Sequence, residues 1–154
     1  MKKLLVVIMI LVLTVSFAFA EEGKKLDAGL RGGVSSGITG RLWMSEASSI
    51  EAIVGWRNLG LVITGLYEFH KPLQIGEVEG LSWYFGGGVH VGFTGWWTQA
   101  LTLGVDGIVG VEYDLEPLIN FPVSVTLDYK PALSFIGTWG TSWGDLAFSA
   151  RYSF

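Results

Sequence analysis

The residues of this chain that could do chemistry begin with His90 and Asp106, which with nearby hydroxyl side chains would make a hydrolase-like set. A serine nucleophile needs a histidine base, and that histidine needs a carboxylate to orient it. No His and Ser pair is found on the apolar side of an alternating segment, where a lipid chain would be within reach. The sequence therefore predicts no catalytic residue, and a lipid-modifying enzyme is kept as an alternative hypothesis.

Residue spacing also disfavours metal and phosphate sites. His70 and His90 lie on different alternating segments, and the chain contains no cysteine, so no histidine or thiolate cluster is indicated. The run Gly86-Gly87-Gly88 is not followed by the Lys-Ser or Lys-Thr of a phosphate-binding loop. We expect these glycines to allow close packing and bending of a barrel wall. We predict no metal and no cofactor.

The elements that must position these residues alternate between apolar and polar side chains. From Leu101 to Leu115 the odd positions are mostly apolar, whereas the even ones include Thr102, Asp106 and Glu112. Such a period of two predicts β-strands with one apolar face. The other alternating segments are Lys25 to Met44, Ser49 to Arg57, Leu61 to Phe69, Leu81 to Phe93, Val123 to Phe135 and Leu146 to Phe154.

Composition separates a membrane barrel from a soluble sandwich. Hydrophobic residues make up 50% of the chain and charged residues only 16%, yet beyond the first twenty residues no uncharged apolar run is long enough for a membrane-spanning helix. The polar face holds Gly, Ser and Thr with single charges of both signs, and aromatic residues such as Tyr67 and Trp83 stand near strand ends. Both features are typical of transmembrane barrels. We predict an all-β, closed, antiparallel up-and-down transmembrane barrel.

The number of strands depends on how Lys25 to Met44 is divided. Its even residues are apolar throughout, so alternation alone permits one long strand or two short ones. Bacterial barrels of this class have an even number of strands, and a split at Gly33 to Gly37 gives about eight. Eight strands enclose a lumen that side chains just fill. The outer loops then carry four tryptophans, which are membrane anchors or a docking surface: Trp96, Trp97, Trp139 and Trp143.

The first twenty residues are predicted to be a cleaved signal peptide. Lys2 and Lys3 precede an uncharged apolar run from Leu4 to Phe19, and the segment closes on Ala18-Phe19-Ala20. Residues 1–20 would be removed, and residues 21–154 would form one barrel domain. The net charge of −4 offers no basis for binding nucleic acid.

We expect the inward side chains to form an ion-pair network, because charges removed from water persist when they are paired and hydrogen-bonded. This candidate lumen set comprises Arg31, Arg41, Glu51, Arg57, Glu68, His70, His90, Asp106, Glu112, Asp114, Asp128, Lys130, Asp145 and Arg151. For the last hairpin we predict a register that pairs Phe135 with Gly144 across a loop from Ile136 to Trp143. That register would place Asp128 opposite Arg151.

Several segments are similar to a family of small outer-membrane barrels of Gram-negative bacteria. They are GLYEFHKPL (65–73), LSWYFGGGVHVGF (81–93), GVDGIVGVEYDL (104–115), LDYKPALSFIG (127–137) and the terminal ARYSF. The resemblance implies an eight-stranded barrel in the outer membrane and carries no activity. The terminal Phe154 resembles the aromatic signal that barrel assembly machinery recognises.

Taken together, these patterns predict an outer-membrane protein with a structural or adhesive role. Its expected partners are outer-membrane lipid and the assembly machinery. A narrow channel or ligand carrier is the second alternative.

Overall fold

The computed structural model describes residues 25–154, apart from residues 58–59, 77, 95–99 and 138–139. Residues 57, 94, 100 and 140–144 are described by their backbone only. Among the described residues, no helix is both long enough and apolar enough to cross a membrane.

The chain forms a closed barrel of eight antiparallel strands. Each strand pairs with its neighbours in sequence, and the last strand closes the sheet by pairing with the first. The fold class predicted from the alternation is confirmed. The elements are β1 (Leu26–Gly33), β2 (Ser36–Ser45), β3 (Ser48–Arg57), β4 (Gly60–Pro72), β5 (Leu81–Thr94), β6 (Ala100–Asp114), the short helix α1 (Glu116–Ile119), β7 (Val123–Ile136) and β8 (Gly140–Ser153).

The segment from Lys25 to Met44 is a hairpin, as the even strand number required. β1 and β2 pair with Leu30 opposite Ile38, so the apolar residues of both arms share one face. The Ser36 hydroxyl donates to the carbonyl of Gly33 at 3.1 Å and accepts from its N–H at 3.3 Å, which ties the two arms together at the turn.

Alternation places the apolar residues outside the barrel and the polar ones inside. On β6, Val109 is 46% exposed, whereas its neighbour Ile108 is 3% exposed and lies in the lumen. Because successive side chains of a strand point to opposite faces, one pattern of period two sorts the whole sequence between exterior and lumen. A small apolar cluster accompanies the polar lumen residues and consists of Ile53, Leu66, Tyr84 and Ile108.

The predicted register of the last hairpin is wrong. Asp128 pairs with Ala147, and Arg151 pairs with Ser124. β8 begins at Gly140, so four residues that were assigned to the loop join the ladder and shift the pairing by four. The longer ladder satisfies more backbone groups, and it brings Lys130 opposite Asp145. The register changes at Pro131, which has no N–H to donate.

The barrel has two distinct ends. At the upper end the chain passes from β1 to β2, from β3 to β4, from β5 to β6 and from β7 to β8. The lower end holds the other three connections, including α1, together with both ends of the described chain. There the backbone N–H of Phe154 donates to the carbonyl of Leu26 at 2.8 Å.

The triple-glycine run lies within β5, where two of its three residues have no room for a side chain. A Cβ on Gly86 would overlap the backbone of Tyr67, and a Cβ on Gly88 would overlap the backbone of Gly65. Both glycines face the lumen beside β4. The close packing expected from the sequence is therefore confirmed at Gly86 and Gly88.

An arginine on the outer face should impair folding. Val109→Arg places a charge near the middle of β6, where it would face hydrocarbon in a membrane-spanning barrel. We expect a loss of about 2 to 4 kcal/mol in the free energy of unfolding, because charge is least tolerated at the bilayer midplane. Urea titration of the barrel in lipid vesicles measures it.

The matched control lies one residue away on the lumen side. Ile108 belongs to the apolar lumen cluster, so Ile108→Thr would place a hydroxyl among apolar side chains. Ile108→Val is the better control, with a cost of about 0.5 to 1.5 kcal/mol. Equal costs at positions 108 and 109 would contradict the assignment of the two faces.

Candidate functional site

The candidate site is the set of charged and hydroxyl side chains that fill the lumen. Period-two alternation points such side chains inward from every strand, between inward glycines and a few apolar residues. Almost all of them are shielded from solvent, so their stability depends on pairing with one another. Three groups of contacts result, at the middle, the upper end and the lower end.

Arg41 is at the centre of the middle group. Its guanidinium is hydrogen-bonded to Glu112, lies 3.1 Å from a carboxylate oxygen of Glu68 and lies 3.6 Å from one of Glu51. The same guanidinium packs over the ring of Tyr84, with its central carbon 5.1 Å from the ring centroid. One cation from β2 therefore connects carboxylates of three other strands.

Two further arginines extend the middle group to the strands that close the barrel. Arg151 on β8 donates to Glu51 at 2.6 Å and to the Thr126 hydroxyl at 3.2 Å. Arg31 on β1 binds Asp128 through two hydrogen bonds of 2.8 and 2.5 Å. A two-pronged guanidinium–carboxylate contact of this kind fixes geometry as well as charge.

The upper group consists of Lys130, the two aspartates that it contacts, and His90, which binds one of them. Lys130 Nζ lies 2.8 Å from Asp106 and 3.5 Å from Asp145. The other carboxylate oxygen of Asp106 lies 2.6 Å from Nδ1 of His90, whose Nε2 lies 3.2 Å from the Ser134 hydroxyl. Asp106 is thus held between a lysine and a histidine.

The lower group is built around His70. Its Nε2 lies 2.9 Å from the Ser49 hydroxyl and 3.4 Å from Glu68. Its ring stacks on Tyr84 at 5.1 Å between centroids and lies 4.4 Å from the ring of Trp43. The indole N–H of Trp43 donates to Asp27 at 2.6 Å.

The middle of the lumen is filled by side chains. Arg41, Glu51 and Tyr84 have no exposed surface, and Arg151 is 1% exposed. Charged groups packed in this way obstruct a continuous water column, as expected for a barrel of eight strands. Among the described residues, no group of three or more His, Asp or Glu side chains is arranged to hold a metal ion.

The structure brings most of the sequence-predicted lumen residues into these three groups. Asp114 differs, because it lies at the lower end and accepts a hydrogen bond from the backbone N–H of Glu116 at 3.0 Å. The side chains of Arg57 and Trp143, and the residues Trp96, Trp97 and Trp139, lie outside the described part of the chain. Phe154 is described, and its side chain is 71% exposed.

The candidate lumen set omitted seven partners in the network among the described residues. All seven stand at inward positions of their alternating segments, so parity was the available signal, but single hydroxyl, aromatic and end-of-strand residues did not stand out. They are Asp27, Thr39, Trp43, Ser49, Tyr84, Thr126 and Ser134.

No family model and no curated protein matches this chain. Among solved structures, it is similar to the N-terminal β-barrel domain of OprF from Pseudomonas aeruginosa, with a TM-score of 0.59. The likeness covers 85% of this chain and 96% of the OprF domain, at 12% sequence identity. At this identity the likeness establishes the fold alone, a closed β-barrel, which in this chain has eight strands.

Arg31 and Asp128 should be energetically coupled. Asp128→Ala leaves the buried Arg31 without its carboxylate, which should cost about 3 to 5 kcal/mol. Arg31→Met combined with Asp128→Ala should cost less than the sum of the two single changes. A double-mutant cycle on the free energy of unfolding measures this coupling.

Arg151→Met provides the comparison, because Arg151 binds Glu51 and Thr126. Its coupling to Asp128→Ala should be smaller than that of Arg31→Met. A larger coupling for Arg151 would contradict the observed register of the last hairpin.

Proposed function

We propose that this chain is an integral protein of the bacterial outer membrane, with a closed barrel that serves as a structural scaffold. Its upper loops would face the cell exterior and contact partners there. The barrel wall would be surrounded by outer-membrane lipid, and the charged lumen would hold the wall rigid. None of these roles requires catalysis.

The observation that carries this proposal is the distribution of apolar and charged side chains. Every strand presents a large apolar residue outward, and most of the charged strand residues lie inside. A soluble barrel would have the opposite arrangement, whereas in hydrocarbon this one buries its apolar surface against lipid tails. The outward residues include Leu30, Met44, Ile50, Ile63, Val89, Val109, Leu127 and Leu146, one from each strand and each at least 40% exposed.

Orientation and export rest on the sequence. A signal peptide cleaved after Ala20 would deliver the chain to the periplasm, so the lower end, which holds the start of β1, would face that compartment. The assembly machinery would recognise the last strand through Phe154. The exposed side chain of Phe154 is consistent with an interfacial position.

A structural or adhesive role is favoured over conduction by the filled lumen. The middle group occupies the centre of the barrel, and the side chains of Arg41, Glu51 and Glu68 have no exposed surface. The upper loops are then the remaining surface for a partner outside the cell. The loop tryptophans Trp96, Trp97 and Trp139 would anchor the loops at the membrane surface or contact that partner. Trp143 was predicted to lie in the last of these loops, but its backbone belongs to β8, because the ladder extends to Gly140.

The proposal predicts that the mature protein is recovered in the outer-membrane fraction. It should migrate differently on a gel before and after boiling, because a closed barrel resists detergent until it is heated. Mass spectrometry of the purified protein should give Glu21 as its first residue. A known periplasmic protein serves as the fractionation control, and recovery of this chain with that control would contradict the proposal.

A second prediction concerns conductance. Planar bilayers containing the purified barrel should show no steady ion current, because the lumen is filled. Arg41→Ala removes the central guanidinium and is the matched variant for detecting leakage. Stable single-channel currents from the unaltered protein would instead favour a narrow channel or ligand carrier.

A further inference from the structure

Three side chains at the upper end of the lumen are arranged as a nucleophile, a base and an orienting carboxylate. Ser134 Oγ lies 3.2 Å from Nε2 of His90, and Asp106 lies 2.6 Å from the opposite ring nitrogen, Nδ1. They come from β7, β5 and β6, which are adjacent strands. A histidine that donates from Nδ1 to a carboxylate keeps Nε2 free to accept the proton of a serine hydroxyl.

Lys130 strengthens this arrangement from the other side of Asp106. Its Nζ lies 2.8 Å from Oδ1 of Asp106, while His90 binds Oδ2. In this ion pair the carboxylate only accepts hydrogen bonds. Nδ1 of His90 must therefore carry a proton, and this fixes which ring nitrogen faces Ser134.

The histidine reaches Ser134 because the residue between them is a glycine. His90 pairs with Gly104, and Gly104 pairs with Ser134, so the three lie side by side on adjacent strands. A Cβ on Gly104 would overlap the carbonyl oxygen of Leu133 and the ring of His90, and it would lie 2.8 Å from Nε2. The missing side chain allows the imidazole to cross β6 and contact β7.

The strand carrying Ser134 is irregular immediately after this residue. Gly104 pairs with Ser134 but Leu103 pairs with Ile136, which leaves Phe135 as an extra residue of β7. A bulge of this kind bends a strand and redirects the neighbouring side chain. It lies at the upper edge of the barrel, where β7 ends.

The lower end contains a second serine–histidine contact, but it lacks a carboxylate on the opposite ring nitrogen and a partly exposed serine. Ser49 is fully buried and binds Nε2 of His70, but the nearby carboxylate of Glu68 approaches that same nitrogen. No hydrogen-bond partner within the described residues reaches Nδ1 of His70. Ser134, in contrast, is half-buried near the end of its strand.

We propose that Ser134, His90 and Asp106 form a nucleophilic site that takes an acyl ester at the upper end of the lumen. This goes beyond the scaffold role, and it departs from the expectation of no catalytic residue because Ser134 supplies the hydroxyl that sequence spacing did not pair with His90. Ser134 is the nucleophile and His90 the base. Asp106 and Gly104 are positioning residues.

The reaction is a balanced acyl transfer with water as the second reactant. Ser134 Oγ bonds to the ester carbonyl carbon, while its proton moves to Nε2 of His90. The ester C–O bond breaks, and the departing alcohol takes that proton, which leaves an acyl group on Ser134. Water then attacks the acyl carbon with His90 as base, releases the carboxylic acid and restores the serine.

A fluorophosphonate probe tests the nucleophile in the full barrel in detergent micelles, with the boiling-dependent gel shift verifying folding of each variant. We expect labelling of Ser134, located by mass spectrometry of the labelled peptide. Ser134→Ala should abolish labelling, and His90→Gln should slow it by roughly 100-fold or more, because a general base is lost. Ser49→Ala is the matched control and should label as the unaltered protein does.

Gly104→Ala tests the position of the His90 ring relative to Ser134 without changing a reacting atom. Displacement of the His90 ring should slow labelling by roughly 100-fold in the folded variant, because a small misplacement of a reacting group has an effect of this size. Absence of label on the folded, unaltered barrel, or undiminished labelling of Ser134→Ala, would overturn the proposal.

Two ester probes distinguish the sources of the acyl group. Release of fatty acid from mixed micelles of phosphatidylethanolamine would support a lipid ester as the substrate. Hydrolysis of p-nitrophenyl butyrate alone would support a small soluble ester. Hydrolysis of neither probe by the unaltered protein would overturn the proposal.

Discussion

Closure of the sheet is the constraint on which the rest of this structure depends. Pairing of β8 with β1 removes both sheet edges, so backbone groups are satisfied within the barrel wall. A closed wall can then expose apolar side chains on its outer face without exposing polar backbone. It also encloses a lumen, and each inward residue must find its partners within that small space.

The lumen residues show how this second requirement is met. Carboxylates on β3, β4 and β6 meet the guanidinium of Arg41 from β2, while Arg31 and Arg151 connect the closing strands to β7 and β3. Most of these contacts link strands that are not neighbours in the sheet, whereas Arg41 and Glu51 face each other on the paired strands β2 and β3. Removing one partner of a buried pair is costly, so the network makes the folded state sensitive to single changes across the whole barrel.

The sequence was sufficient for the fold, because alternation of period two assigns each residue to a face. It was not sufficient for the register of the last hairpin: a shift by four residues leaves every residue on the same face, so the pattern cannot detect it. The pairing of Asp128 with Arg31 was also missed. These residues lie on β7 and β1, which only closure of the barrel brings near each other, and alternation does not show this. The contact of His90 with Ser134 depends on Gly104, which only the ladder places between them.

The central claim is that the outer face of this barrel meets lipid while its lumen does not. Nuclear Overhauser effects between lipid acyl protons and labelled methyl groups, measured on the barrel in lipid nanodiscs, test this claim without altering the chain. The account predicts cross-peaks from acyl chains to Val89, Val109 and Leu127, and none to Ile53, Leu66 and Ile108. Acyl cross-peaks of equal strength to both sets of methyl groups, or to the second set alone, would contradict it.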